Sequence, residues 1–178
     1  MENRITALFF VLAAGLVFTG CTPENRNTMT IQEQNKAFFA KALDDFFNKR
    51  DIESADRNYL PTYVQHNGQV AAMAKAQGVT PVEGMKGFFR MFFEAFPDYR
   101  VKIEYIGAEG DRVFAILNWE GTHRKDFMGV PATGKQIRVR TAEVMRIENG
   151  KFAEHWDVVD ETNMLITLGS LTDNRPRH

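Results

Sequence analysis

With 178 residues and a formal net charge of -1, the chain is long enough for one domain with a substantial core, and its charge gives no reason to expect nucleic acid or an anionic surface as partner. The 25% charged and 44% hydrophobic residues are average for a soluble globular protein. One cysteine, Cys21, excludes an internal disulfide.

Arg4 precedes the apolar run 5–17, which is followed by Phe18-Thr19-Gly20-Cys21. That run is short of the roughly 20 apolar residues of a membrane span and reads as an export signal. The small residues before Cys21 resemble a bacterial lipobox, which implies acylation of Cys21 and a mature chain tethered to the cell-envelope membrane through that lipid alone. Residues 1–21 are thus expected as signal peptide, 22–30 as a flexible tether, 31–171 as the domain and 172–178 as a tail.

Apolar positions at helical spacing predict a long amphipathic helix over 31–48. A short helix is expected over 54–60, with Ser54 as N-cap and Pro61 as its stop. An extended segment follows over 63–68, then one or two helical turns over 71–77. Pro81 at a first helical position, Glu83 in the first turn and six core-type residues from Met85 to Phe96 predict a helix that Pro97 ends. Phe92 belongs to this row. Strands are expected over 99–106, 112–122, 136–147 and 150–160, and a last short helix over 162–168 with Gly169 as its stop. Asn149-Gly150 is a two-residue hairpin signal joining the last two strands.

In the last strand, alternation puts Phe152, Glu154, Trp156, Val158 and Asp160 on one side, and Ala153, His155, Asp157 and Val159 on the other. Neither side is cleanly apolar, so one should face packing and the other a polar cavity. Helices followed by long hairpin-linked strands predict an α+β fold, a curved antiparallel sheet wrapped by about three N-terminal helices into a cone. Asp157 is the natural general base, because burial raises the pKa of a carboxylate and suits it to take a proton beside a carbonyl. His155, His66, His123 and Asn67 are candidate donors to the resulting oxyanion. Asp160 before a helix favours N-capping, and Glu154 a structural pairing with Arg140 or Arg146. No nucleotide loop or metal-ligand spacing stands out, and no cofactor or metal is expected.

The segments Tyr63-Val64-Gln65-His66-Asn67, Ala95-Phe96-Pro97-Asp98, Gly121-Thr122-His123, Val130-Pro131-Ala132-Thr133-Gly134 and Glu154-His155-Trp156-Asp157-Val158-Val159-Asp160 resemble, in this order, the SnoaL-like polyketide cyclases, also called ester cyclases. That family lies in the nuclear-transport-factor-2-like superfamily. The resemblance implies the cone fold, a homodimer, and cofactor-free aldol closure run by an aspartate, placed at Asp157 with Asp160 as the competing assignment. It also puts Glu143 at an inward position where relatives carry His or Asp. Asn67, Glu143, Phe92 and Asp160 are accordingly expected to contact substrate. The insertion 69–77 and the export-type N-terminus set the chain apart and imply a different small carbonyl substrate. A membrane-tethered module that only binds a small molecule or a protein is the alternative.

Overall fold

The computed structural model describes residues 29–172. The expected signal peptide, the expected lipidation site Cys21, most of the expected tether and His178 lie outside them. Thr30 caps α1 (Ile31–Leu43), its hydroxyl accepting from the Glu33 amide while Glu33 returns a bond to the Thr30 amide. The expected helix to 48 is real but changes pitch. Residues Asp44–Asn48 form a π-helical turn, closed by Lys49 N–H donating five residues back to the Asp44 carbonyl.

The short helix α2 (Ser54–Asn58) ends before residue 60, and Ser54 is not its cap. Glu53 holds that position without a side-chain cap bond, and Ser54 is buried. Pro61 lies inside β1 (Tyr59–Gln65), an edge strand, where a missing N–H is tolerated. Asn67 then starts α3 (Gly68–Gln77), accepting at its side-chain oxygen from the amides of Gln69 and Val70, and Gly78 closes the helix in the left-handed region. The insertion expected to hold a turn or two is therefore a complete helix. It packs closely on α4 (Pro81–Ala95): a Cβ at Gly84 would lie 2.5 Å from that of Ala74. Lys86, buried on α4, meets Glu53, Asp56 and Glu83 and ties α4 to α2.

Strands β2 (Arg100–Glu109), β3 (Arg112–Thr122), β4 (Gln136–Glu148) and β5 (Lys151–Val159) follow as antiparallel neighbours, and α5 (Glu161–Leu168) closes the domain. The sheet order is β1-β5-β4-β3-β2, so the fold is α+β with helices folded over one face of a five-stranded curved sheet. One pairing departs from the expected antiparallel sheet: β1 lies parallel to β5. The Asn149-Gly150 turn takes the positive φ values, 52° and 71°, that a tight hairpin needs. Pairing then skips from Ile147↔Phe152 to Arg146↔Glu154, leaving Ala153 as a bulge residue. The bulge corrects the simple alternation, because it brings Phe152 onto the side of His155 and Asp157. On that side, Phe39, Phe46, Phe92, Phe93 and Phe96 are all buried between helices and sheet. Each such ring contributes about 1.5–3 kcal/mol by leaving water. Among the described residues, no helix is long and apolar enough to cross a membrane.

Candidate active site

Between the helices and the concave side of the sheet lies a cavity of about 210 Å³. Its walls are aromatic and aliphatic, including Phe46, Phe89, Phe92, Trp119, Phe127 and Met145. Its polar groups converge from β1, β4 and β5: Gln65, Asn67, Thr141, Glu143, His155 and Asp157. Register explains the convergence. Glu143 sits opposite Asp157, Met145 opposite His155, and the parallel β1 places Gln65 opposite His155 from the other side.

The hydrogen bonds fix the protons. The side-chain oxygen of Gln65 accepts the backbone N–H of Asn67 at 2.9 Å, which orients that amide unambiguously. His155 Nδ1 lies 3.1 Å from the same oxygen and must therefore be its donor. The other ring nitrogen, Nε2, is 2.6 Å from Glu143 Oε2, so one proton lies between imidazole and carboxyl group. The other oxygen of Glu143 accepts the Thr141 hydroxyl, and Thr141 in turn accepts Trp119 Nε1–H at 2.8 Å. Gln65 Nε2 donates to the Tyr63 hydroxyl at 3.1 Å.

Asp157 stands beside this chain and is held separately. The Asn67 amide nitrogen donates to both of its oxygens, at 3.0 and 2.9 Å, while the oxygen of the same amide is fixed by the first turn of α3. Burial pushes the Asp157 carboxyl above its ordinary range; the His155 charge and the Asn67 bond pull it down, and Glu143 adds to the rise. The result is a half-buried carboxylate with raised proton affinity, next to a proton-bearing His155–Glu143 pair, at the polar end of an apolar cavity. Such a trio can remove a proton from carbon at one atom and deliver one to oxygen at another.

Among the described residues, Glu143, His155 and Asp157 each offer a ligand atom within 4.8 Å of the others, a set that could approach a metal ion. In this structure these atoms are engaged with one another, Thr141 and Asn67.

The other residues singled out from the sequence fall elsewhere. Phe92 lines the cavity wall. His66 stacks on Trp156 at 4.5 Å and lies 3.2 Å from Glu154; it shares with Asp157 a surface recess next to the cavity but is not among the residues lining the cavity that holds His155. Glu154 also receives Arg146, one of its two expected partners, at 2.8 Å. His123 is completely buried outside the cavity lining. Its Nδ1 accepts from the Thr133 amide at 3.3 Å, its ring stacks on Phe96, and burial depresses its pKa. Asp160 is the N-cap of α5, accepting from the Asn163 amide, and does not line the cavity. Sequence reasoning missed the roles of Gln65, Thr141 and Trp119. The signal for Thr141 was its i,i+2 spacing from Glu143 on one strand face; Gln65 needed the parallel pairing of β1.

A family model of the SnoaL-like polyketide cyclases matches residues 37–168. The chain belongs to this family. Solved structures of the same fold superpose over most of its length. TsrD from Streptomyces laurentii is 24% identical, with a TM-score of 0.68 over 80% of this chain and 100% of that one. IdmH from Streptomyces antibioticus, a candidate polyketide cyclase, is 30% identical with a TM-score of 0.65 over 76% and 99%. AclR from Streptomyces galilaeus, described as a candidate hydroxylase, is 28% identical with a TM-score of 0.67 over 78% and 97%. No curated protein matches the chain. The SnoaL-like cone thus carries proteins of differing stated roles, and the chemistry here rests on the side chains.

Proposed function

We propose that this SnoaL-like protein catalyses acid/base chemistry on a small carbonyl compound, with Asp157 as general base and the His155–Glu143 pair as proton donor. The observation that carries the reading is the half-buried Asp157, its pKa raised by burial, beside that pair at the polar end of the cavity. In an aldol-type closure Asp157 takes the proton from the carbon next to a carbonyl. The C–H electrons pass into the enolate, whose carbon attacks a second carbonyl of the same molecule. His155 then gives its Nε2 proton to the new alkoxide, and Asp157 returns the first proton to the pair through product or water. With one carbonyl and a β,γ double bond in the substrate, the C–H electrons pass into a dienolate, and the same groups return the proton to its γ carbon and so shift the double bond into conjugation.

Proton abstraction can be measured without the physiological substrate. Incubated in heavy water with small β-keto esters and cyclic ketones, the protein should exchange the proton next to the carbonyl above the buffer rate. Asp157→Asn should reduce exchange to that rate. A panel without exchange would leave the cavity as a binding site and remove the enzymatic reading.

The cellular setting is also a proposal, supported by the apolar run 5–17 and the residues before Cys21. Export with a lipid anchor requires that the intact mass of membrane-extracted protein correspond to a chain beginning at diacylglyceryl-Cys21. A mature N-terminus at any other residue would remove the anchor.

A further inference from the structure

An enolate formed above Asp157 needs a hydrogen-bond donor on its oxygen, and the cavity's donors can be checked one by one. Trp119 Nε1 is committed to Thr141, and the Thr141 hydroxyl to Glu143. Gln65 Nε2 gives one of its two N–H groups to Tyr63, Gln69 Nε2 gives one to Glu161, and Asn67 Nδ2 is held on both oxygens of Asp157. The Ser54 hydroxyl has no partner but is shut off from accessible space. Among the described residues, Asn58 and Tyr59 are the accessible cavity-lining side chains whose donors make no hydrogen bond at all, so neither is tied to an existing partner.

Tyr59 is the better placed of the two. Its ring is fixed edge-on to Tyr63 at 4.7 Å and tilted against Phe152 at 4.9 Å, so its hydroxyl has a defined direction. Burial, and the nearby charge of Glu143, push its pKa up, which keeps it a donor at every physiological pH and places it within electrostatic reach of the acid/base cluster. A phenol with its ring packed and its hydroxyl unengaged is a preorganised donor, since no existing bond has to break when negative charge develops.

Size narrows what the donor receives. A cavity of about 210 Å³ exceeds only modestly the roughly 150 Å³ apolar cavity that accommodates benzene. At its Asp157 end it adjoins a second recess of about 410 Å³ that shares Asn67, Gln69, Asp157, Val159 and Glu161, so the cavity limits only the part of a substrate that carries the reacting carbonyl. We propose that Tyr59 is a catalytic residue, the hydroxyl that binds the carbonyl and then the enolate oxygen, and that the part of the substrate held inside the cavity is a ketone or ester of one or two rings. This rests on the acid/base reading above.

The test uses 1-tetralone carrying carbon-13 at its carbonyl, a two-ring probe with exchangeable protons beside that group. Bound to wild type, its carbonyl stretch should fall to lower frequency than in Tyr59→Phe, which removes the hydroxyl and keeps the ring. Heavy-water exchange should drop about 100-fold in the variant, the loss expected when one oxyanion donor is removed. Near-ultraviolet circular dichroism establishes that Tyr59→Phe retains the packed core. Equal frequencies and equal exchange in the two proteins overturn the role of Tyr59, as does a shift lost in Asn58→Ala but kept in Tyr59→Phe. Failure of 1-tetralone to bind, or equal binding of a ketone whose carbonyl is flanked by two rings on each side, overturns the size assignment. The outcomes separate the two readings: exchange abolished by Asp157→Asn but untouched by Tyr59→Phe leaves the enzyme and removes the donor. A Tyr59-dependent frequency shift without exchange leaves the donor and removes the enzyme.

Discussion

Replacing Gln65 by leucine, a side chain of similar size, tests whether one neutral amide organises the cluster. Gln65 is buried, and the substitution strips partners from three groups: the Nδ1–H of His155, the backbone N–H of Asn67 and the hydroxyl of Tyr63. Each group left without a partner away from water costs about 1–3 kcal/mol. Asn67 stands at a strand end and can turn to water, so the combined loss should be about 2–4 kcal/mol. At roughly 2–4 °C per kcal/mol for a chain of this length, the melting midpoint should fall by about 5–15 °C. Gln65→Glu keeps an acceptor for both His155 and Asn67, and should retain most of the stability while adding negative charge beside Glu143 and Asp157. Urea unfolding gives the free energies, and nitrogen-15 spectra of His155 report which ring nitrogen holds the proton. Gln65→Leu should release Nδ1 from its fixed donor role; Gln65→Glu should not. If Gln65→Leu unfolds within about 0.5 kcal/mol of wild type with unchanged His155 nitrogen shifts, the proton assignment is wrong.

Two titrations should pull stability in opposite directions. The folded-state pKa of Asp157 lies above the unfolded one, so the folded protein binds more protons between the two values, and this group's contribution is lost as pH rises through that window. The urea midpoint of Asp157→Asn minus that of wild type should therefore grow from the ordinary carboxylate range toward neutrality; a flat difference would show that burial does not act on this carboxyl. His123 behaves oppositely. Its pKa is depressed in the fold, so wild type should lose stability relative to His123→Phe as pH falls below about 6.5, and parallel curves would refute the burial assignment.

Much of the architecture can be read along the chain because it is local. Pro81 and Glu83 announce α4, Asn149-Gly150 announces the last hairpin, and Asp160 behaves as the cap its position before a helix suggests. Alternation along β5 places His155 and Asp157 on one face, where the structure has them. The failures are non-local or depend on one extra residue. Ala153 adds a residue that turns Phe152 into the cavity, and nothing in its neighbours encodes a bulge. His66 and Asn67 are adjacent in sequence, yet the first stacks on Trp156 while the second reaches Asp157. Gln65 and Tyr59 gain their positions only through the parallel pairing with β5, a partner nearly the length of the domain away.

That pairing also sets the order in which the molecule can be made. Gln65 and His155 are 90 positions apart, as are Asn67 and Asp157, so both bonds wait for nearly the whole domain to leave the ribosome. Contacts of such separation carry the largest loop-closure entropy and accumulate late in folding. A nascent chain stopped before β5 has α3 and α4 in hand but no strand for β1 to join, leaving the phenylalanines of α1 and α4 without their floor. The acid/base cluster is thus assembled by the same event that finishes the core, and an incompletely synthesised copy carries no partial site.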